Sequence, residues 1–356
     1  FVVAHFHYVM MGSALIAFIT TALDQKIHEL KRGHSKVIEQ DHTLILGWNE
    51  QRIIEIIGEL VLANESEDDA CVVILAEMDK EQMDDVLRLH LPDSKSTRLV
   101  TRNGKTSSLA NLDVVSVGAC RSVIILATCD NMGSAQQKSN SDSKVIQSVM
   151  ALTAIAQEKE DLHIVAEIYN PTHRGIIESN FKRNVITVDA SDVLAKILVQ
   201  TSRSVGLSVV YNEILSFDGC ELYFFHADWG GISFRDLPYR FPDGVPLGIR
   251  QEGGRLLLNP DVATILQPTD EILIVADDDS TIVFEDKALA TPTAHKLADR
   301  RNEQRIEKEL ILGWTNKALM ILDQYAEYVL PGSQIDFGQV GHTGPIETGH
   351  GFLIGT

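Results

Sequence analysis

Cysteine is scarce. The four in this 356-residue chain, Cys71, Cys120, Cys129 and Cys220, form no CxxC pair and no metal spacing. That excludes a disulfide-stapled scaffold and a thiolate zinc centre, and points to free thiols in a reducing compartment. Basic charge is also short: 31 Lys and Arg stand against 50 Asp and Glu, a formal net charge of −19. No basic face is left to neutralise phosphates, so nucleic acid is excluded as a partner. An acidic surface is ordinarily just a solvated one; attraction of divalent cations is the sharper reading. No Ser/His/Asp or Cys/His arrangement suggests nucleophilic catalysis, and the chain is not expected to be an enzyme. What is plentiful is apolar residue: at 44 % hydrophobic, the chain can fill the cores of roughly two to three domains.

The amino end lacks charge altogether. Residues 1–23 contain no Asp, Glu, Lys or Arg, and their only ionisable side chains are His5 and His7. A helix of that length rises about 34 Å, enough to cross a bilayer core. A transmembrane, pore-lining helix is therefore expected over 1–23, with Gly12 either as its hinge or, the commoner use of such a glycine, packed closely against a neighbouring helix; a buried helix of a soluble protein is the plainer alternative. The first charges beyond it, from Asp24 to Lys36, carry a Lys/Arg excess that places the following part on the cytoplasmic side or its topological equivalent. Residues 24–42 read as a polar helical linker.

The pentapeptide Leu44-Ile45-Leu46-Gly47-Trp48 returns as Leu310-Ile311-Leu312-Gly313-Trp314. Each copy is an apolar strand, a Gly turn and then an amphipathic helix, the opening of a βαβ unit. Between the copies, continuous apolar runs alternate with helical stretches: 72–75, 98–100, 123–127, 164–166 and 185–188 as strands; 51–63, 79–90, 143–157, 172–180 and 191–203 as helices. That pattern predicts a Rossmann-like, doubly wound parallel sheet over 43–205, with a mobile loop at 132–143. The ligand crevice of such a sheet lies at the strand carboxyl ends, where Gly47, Asn49 and Glu77 are the candidates. A dinucleotide is not expected there: Trp48 stands in the GxGxxG turn and two of its three glycines are missing, although Glu77 holds the ribose-binding position.

From 206 to 283 the pattern changes to short strands and Gly/Pro turns, a small α+β lobe with an antiparallel sheet. It closes on Asp277-Asp278-Asp279, whose hard oxygens suit Ca²⁺. No EF-hand spacing accompanies them, and acid runs at strand ends are ordinarily solvated turns. Two apolar helical stripes are candidate partner surfaces: Val193, Leu194, Ile197 and Leu198, which core packing also explains, and Leu207, Val210 and Ile214, the better candidate. Residues 284–307 read as a linker, 308–337 as the start of a second, truncated unit, and the Gly-rich 338–356 as a disordered tail.

Taken together, several dispersed blocks resemble the CASTOR/POLLUX family of ion channels, whose soluble part is built of RCK (regulator of conductance) domains. They are His42 to Trp48, Leu75-Ala76-Glu77 with Asp79-Lys80-Glu81, Arg102-Asn103-Gly104, Leu126-Ala127, Gly248-Ile249, Leu258-Asn259-Pro260, Asp270-Glu271 and Ala276 to Asp279. The resemblance runs from about residue 13 to 335 and implies a homotetrameric cation channel with tandem RCK domains in a gating ring, regulated by a ligand, with Ca²⁺ the leading candidate. Two rivals stand beside it: an NAD(P)-binding Rossmann oxidoreductase, and a nucleotide-sensing regulatory subunit of a K⁺ transport system. Phe1 to Gly12 also resembles the helix of haem–copper oxidases that carries two haem-ligating histidines, but over a dozen residues only and without that family's other histidine helices.

Overall fold

The computed structural model describes residues 17–21, 33, 35–156, 159, 162–181, 185–289, 306–313, 317–339 and 347–353. The expected membrane span, with its hinge Gly12 and with His5 and His7, lies outside them except for the helical turn at 17–21. No described helix is long and apolar enough to cross a membrane. The chain divides into two compact units, Phe1–Val193 and Leu194–Thr356, a division earlier than the boundary expected at 205/206.

The first unit contains β1 (Thr43–Leu46), α1 (Glu50–Ala63), β2 (Cys71–Ala76), α2 (Lys80–His90), β3 (Arg98–Asn103), α3 (Leu109–Val114), β4 (Ser122–Ile125), α4 (Ala135–Ile155), β5 (His163–Glu167), α5 (Pro171–Asn180) and β6 (Val185–Val188). Its six strands are parallel, in the order β3-β2-β1-β4-β5-β6. The strand period of two divides their side chains between two cores. Leu44, Leu46, Val73, Leu75, Val123 and Ile125 meet Val145, Val149 and Leu152 of α4 on one face. Ile45, Val72 and Ile74 meet Ile53 and Ile57 of α1 and Met83 and Leu87 of α2 on the other. Each such side chain, fully removed from water, contributes roughly 1.5–3 kcal/mol before entropy is charged against it.

The loop expected at 132–143 is helix instead: α4 starts at Ala135. Ser134 accepts from the Gln137 N–H while the Gln137 side chain accepts from the Ser134 N–H, a capping box that starts the helix in polar sequence. Ser141 and Asp142, which look loop-like, are buried within it and bond to strand ends. The short helix α3 is an addition to the expected set.

The second unit contains α6 (Ala190–Arg203, which begins in the first), α7 (Leu207–Leu215), β7 (Glu221–Phe225), β8 (Val245–Arg250), β9 (Leu256–Leu258), β10 (Glu271–Ala276), β11 (Lys308–Leu312), α8 (Ala318–Tyr328), β12 (Gln334–Gln339) and β13 (Glu347–Leu353). The lobe is an antiparallel sheet, β7-β10-β8-β9. Trp229, Phe234, Leu237, Ile249, Ile272 and Ile274 fill its core, and the Trp229 indole N–H donates to the Asp270 carbonyl at 2.7 Å. Of the first expected stripe, Val193 and Leu198 are exposed, while Ala195 and Val199 are the buried apolar residues of α6.

The repeat is structural as well as sequential. β11 pairs in parallel with β12 as β1 does with β2. Gly313 N–H donates to the Gly338 carbonyl at 2.8 Å, as Gly47 N–H does to Leu75 at 2.9 Å, and both glycines take positive φ, 94° and 103°. Beyond it, part of the expected disordered tail is β13, antiparallel to β12 from Gln334↔Leu353 to Gln339↔Glu347. Backbone pairing makes this Gly-rich strand, so no side-chain period announces it.

The thiols follow from the packing. Cys71 and Cys120 are buried, and burial above all pushes each thiol up to about 11 from the ordinary 9.0. Iodoacetamide at pH 8 is expected to label the partly exposed Cys129 and Cys220 in the native chain and to spare the buried pair until unfolding. Because the folded thiols hold their protons more tightly, their contribution to stability is complete below pH 9 and is lost as pH rises towards 11. Denaturant midpoints measured across that range check the sign.

Candidate functional site

Strands β1 and β4 are neighbours, but the helices that follow them leave to opposite faces, α1 to one core and α4 to the other. The diverging chains open a crevice at the carboxyl ends of the two strands. Gly47 makes the turn out of β1; a Cβ there would stand 3.0 Å from the Leu126 carbonyl oxygen. Asn49 then caps α1, its side-chain oxygen accepting from the Arg52 N–H at 3.5 Å. Its amide donates to Asp130 Oδ1 at 3.1 Å, which ties the turn after β1 to the loop after β4.

Beside this tie sits a buried polar network around Arg52. Its guanidinium pairs with the Glu167 carboxylate and donates to Asn131 Oδ1 and to the Tyr169 hydroxyl, each at 2.8 Å. The Tyr169 hydroxyl donates in turn to the Cys129 carbonyl at 2.8 Å, and Glu167 Oε2 accepts from the Ala127 N–H at 3.0 Å. Burial opposes the charge on Arg52, but its bonds to Tyr169 and Glu167 outweigh burial and hold the guanidinium more firmly charged than usual. At Glu167 burial wins and lifts the carboxyl, with Arg52 and the Ala127 N–H pulling the other way. Below it Asp142, fully buried, accepts from the Tyr169 and Asn170 N–H groups at 3.0 Å each and from His173 Nδ1 at 2.9 Å. The network thus joins the ends of β1, β4 and β5 through charge-assisted bonds.

Two hollows open here. A cavity of about 280 Å³ is lined by Gly47, Trp48, Glu77, Met78, Lys144 and Ser148, among others. A wider groove of about 840 Å³ is lined by Trp48, Asn49, Glu50, Glu55, His90 and Asp130, among others. The crevice candidates are therefore divided: Gly47 and Glu77 share the cavity, and Asn49 faces the groove. Asp277, Asp278 and Asp279 are elsewhere, exposed at the end of β10. Asp278 Oδ1 accepts from the Ser280 N–H at 2.8 Å as a helix-turn cap. Among the described residues, no three His, Cys, Asp or Glu side chains converge as a metal site. The Arg52–Tyr169–Asp142 network was not foreseen. Its traces in sequence are Asp130, Asn131 and Glu167, polar residues at strand ends and so candidates for the crevice, and Ser141 and Asp142, which hold the helical phase of Val145, Val149 and Leu152, so that polar side chains occupy core positions.

Comparisons with known proteins agree with this fold. Residues 191–291 match the family model described as Castor and Pollux, part of voltage-gated ion channel. A probable ion channel CASTOR of Oryza sativa subsp. japonica is 32 % identical over 339 residues, covering 92 % of this chain and 36 % of that protein. The ion channel CASTOR of Lotus japonicus is 35 % identical over 280 residues, covering 76 % of this chain and 31 % of that protein. The chain thus spans about a third of the length of these relatives. Among solved structures, the human SLO3 gating ring aligns with a TM-score of 0.51 at 13 % identity, over 83 % of this chain and 59 % of that one.

Replacing Arg52 by Ala leaves the Glu167 carboxylate buried with one backbone donor. The expected loss is about 3 kcal/mol in urea unfolding, as for a broken buried pair. Adding Glu167→Gln should recover part of it, since a neutral amide needs no counter-charge. A loss under about 1 kcal/mol would mean that the pair is as weak as a surface one.

Proposed function

The chain belongs to the CASTOR and POLLUX family of ion channels, and we propose that it is the cytosolic gating portion, with the end of the pore helix, of a ligand-regulated cation channel. Residues 1–23 then lie in the membrane, with the α/β units on the cytoplasmic side or its topological equivalent. Four copies assemble into a ring of RCK units that regulates ion flow rather than performing a reaction. The ring acts on the pore when a ligand binds one arrangement of the units better than another.

The observation that carries this reading is how the start of the first unit holds the segment ahead of it. Arg102 Nε donates to the Ser35 carbonyl at 2.7 Å. The Val37 side chain is buried, its N–H donates to the Val114 carbonyl at 2.7 Å, and its own carbonyl accepts from Ser116 Oγ at 2.5 Å. Arg98 grips the Glu39 carboxylate with both nitrogens, at 3.1 and 2.6 Å. Residues 35–39 are thus bound to the β3 edge and the end of α3, so a displacement of that edge would pull on the residues leading to the pore helix. Self-assembly is supported by α7, which has no buried residue; Val209, Val210 and Leu215 are all exposed. A helix with an uncovered apolar face is a surface waiting for a partner.

Ca²⁺ is the proposed regulator. Glu221 on β7 pairs with Ala276 on β10, next to the acid triplet. Burial first, then Asp278 and Asp279, push its carboxyl up. A divalent cation drawn to these acids, with backbone oxygens and water completing its shell because the carboxylates do not converge by themselves, would relieve that repulsion. Calorimetric titration of the chain is expected to show saturable Ca²⁺ binding that strengthens as pH rises and Glu221 gives up its proton, and that weakens at least tenfold in Glu221→Gln with Asp279→Asn. Absence of heat from Ca²⁺ in the native chain would sink Ca²⁺ as regulator. Separately, Leu215→Asp is expected to lower the assembly state seen by light scattering; an unchanged mass would remove α7 from the interface.

A further inference from the structure

The crevice keeps one half of a nucleotide site and has lost the other. The lost half is the pyrophosphate loop. Trp48 stands where the second glycine of the fingerprint would allow backbone to approach phosphates. The groove that phosphates would enter carries the carboxylates Glu50, Glu55 and Asp130. Glu50 also opens the first turn of α1, so the helix end that would attract an anion is met by an acid. A phosphate chain would be repelled here.

The half that remains is the cavity of about 280 Å³ on the other side of Trp48. Its volume lies near the lower end of small-molecule sites, roughly 300–1,000 Å³. Its walls are apolar, with Trp48, Met78 and Val145 among them, and Thr106, Thr128 and Ser148 supply hydroxyls. Ser148 Oγ donates to the Lys144 carbonyl at 3.0 Å and is paired with Thr106 Oγ1 at 2.7 Å. Both hydroxyls are held in place by these bonds, and both residues line the hollow.

The two charged side chains in the lining are Glu77 at the end of β2 and Lys144 on α4. Among the described residues, neither makes an ion pair or a side-chain hydrogen bond, to each other or to any neighbour. An acid and an amine on one cavity, both unspent, are groups left for a ligand. A carboxylate at the end of the second strand can accept both hydroxyls of a ribose cis-diol. The amine can donate to ring nitrogens of a base lying along Trp48 and Met78.

We propose that this cavity binds a free nucleoside, its ribose diol held by Glu77 and its base held between Trp48 and the Lys144 side, and that it discriminates against nucleotides carrying phosphate. The site lies wholly within the first unit and is independent of the Ca²⁺ reading, which concerns acids of the second, so either can fail alone.

The test is calorimetric titration of the full chain in detergent with adenosine, 2′-deoxyadenosine, ADP and NADH. Adenosine should saturate one site. Loss of the diol in 2′-deoxyadenosine, or of the charge in Glu77→Gln, should each weaken binding about tenfold or more, as expected for a charge-assisted hydrogen bond. ADP and NADH should bind more weakly than adenosine. Glu77 is exposed and unpaired, so its variant is expected to keep the native unfolding midpoint. No saturation by adenosine would overturn the proposal. So would an unchanged affinity in Glu77→Gln, or ADP or NADH binding more tightly than adenosine, which would mean that the crevice accepts pyrophosphate after all.

Discussion

Everything in the first unit depends on the parallel pairing of one four-residue strand. Thr43 to Leu46 is buried along its whole length and hydrogen-bonded on both edges, to β2 and to β4. Its alternate side chains enter different cores, Leu44 and Leu46 one and Ile45 the other. A strand with no solvated face tolerates no slip, since moving it by one residue would exchange the two cores. The same strand sets the topological switch, because its other edge pairs with β4 rather than with the next strand in sequence.

The crevice is a consequence of that constraint. Once β1 and β4 are neighbours with helices on opposite faces, their ends must diverge, and the polar ends need partners as they do so. Asn49, Asp130 and Arg52 supply them across the gap, and Glu167, Tyr169 and Asp142 extend the bonding to β5. Such a network is costly to leave half made, so it holds the rim of the crevice in one arrangement. Residues 35–39 are bonded to β3 and to the end of α3 in the same unit.

Elements with an apolar period were legible before the structure was known. The six strands of the parallel sheet, the helices between them other than the short α3, and the lobe's hairpins follow from spacing alone. The start of α4 was not, because Ser134 to Ser143 carries no apolar stripe; a capping box and buried hydroxyls hold it as helix. Nor was β13, which depends on the open edge of β12 rather than on its own side chains. On α6, Val193 and Leu198 of the expected stripe are exposed, while the fold buries Ala195 and Val199. A small apolar residue is a weak signal in sequence and a good one in a close contact.

By itself, the sequence determined the repeat of the strand–glycine–helix opening, the doubly wound class, the lobe and the loss of the dinucleotide fingerprint, since each is local in the chain. Gly47 and Gly313 needed left-handed backbone wherever they were placed, and both have it. Tertiary structure decided which polar groups meet. Arg52 and Glu167 are 115 positions apart, and Asp142 lies 27 before the Tyr169 N–H that it binds. Glu77 and Lys144 reach one cavity only because β2 and α4 flank the same switch point. Periodicity carries the burial of a residue's own element; it carries no information on which distant side chain will satisfy a buried charge.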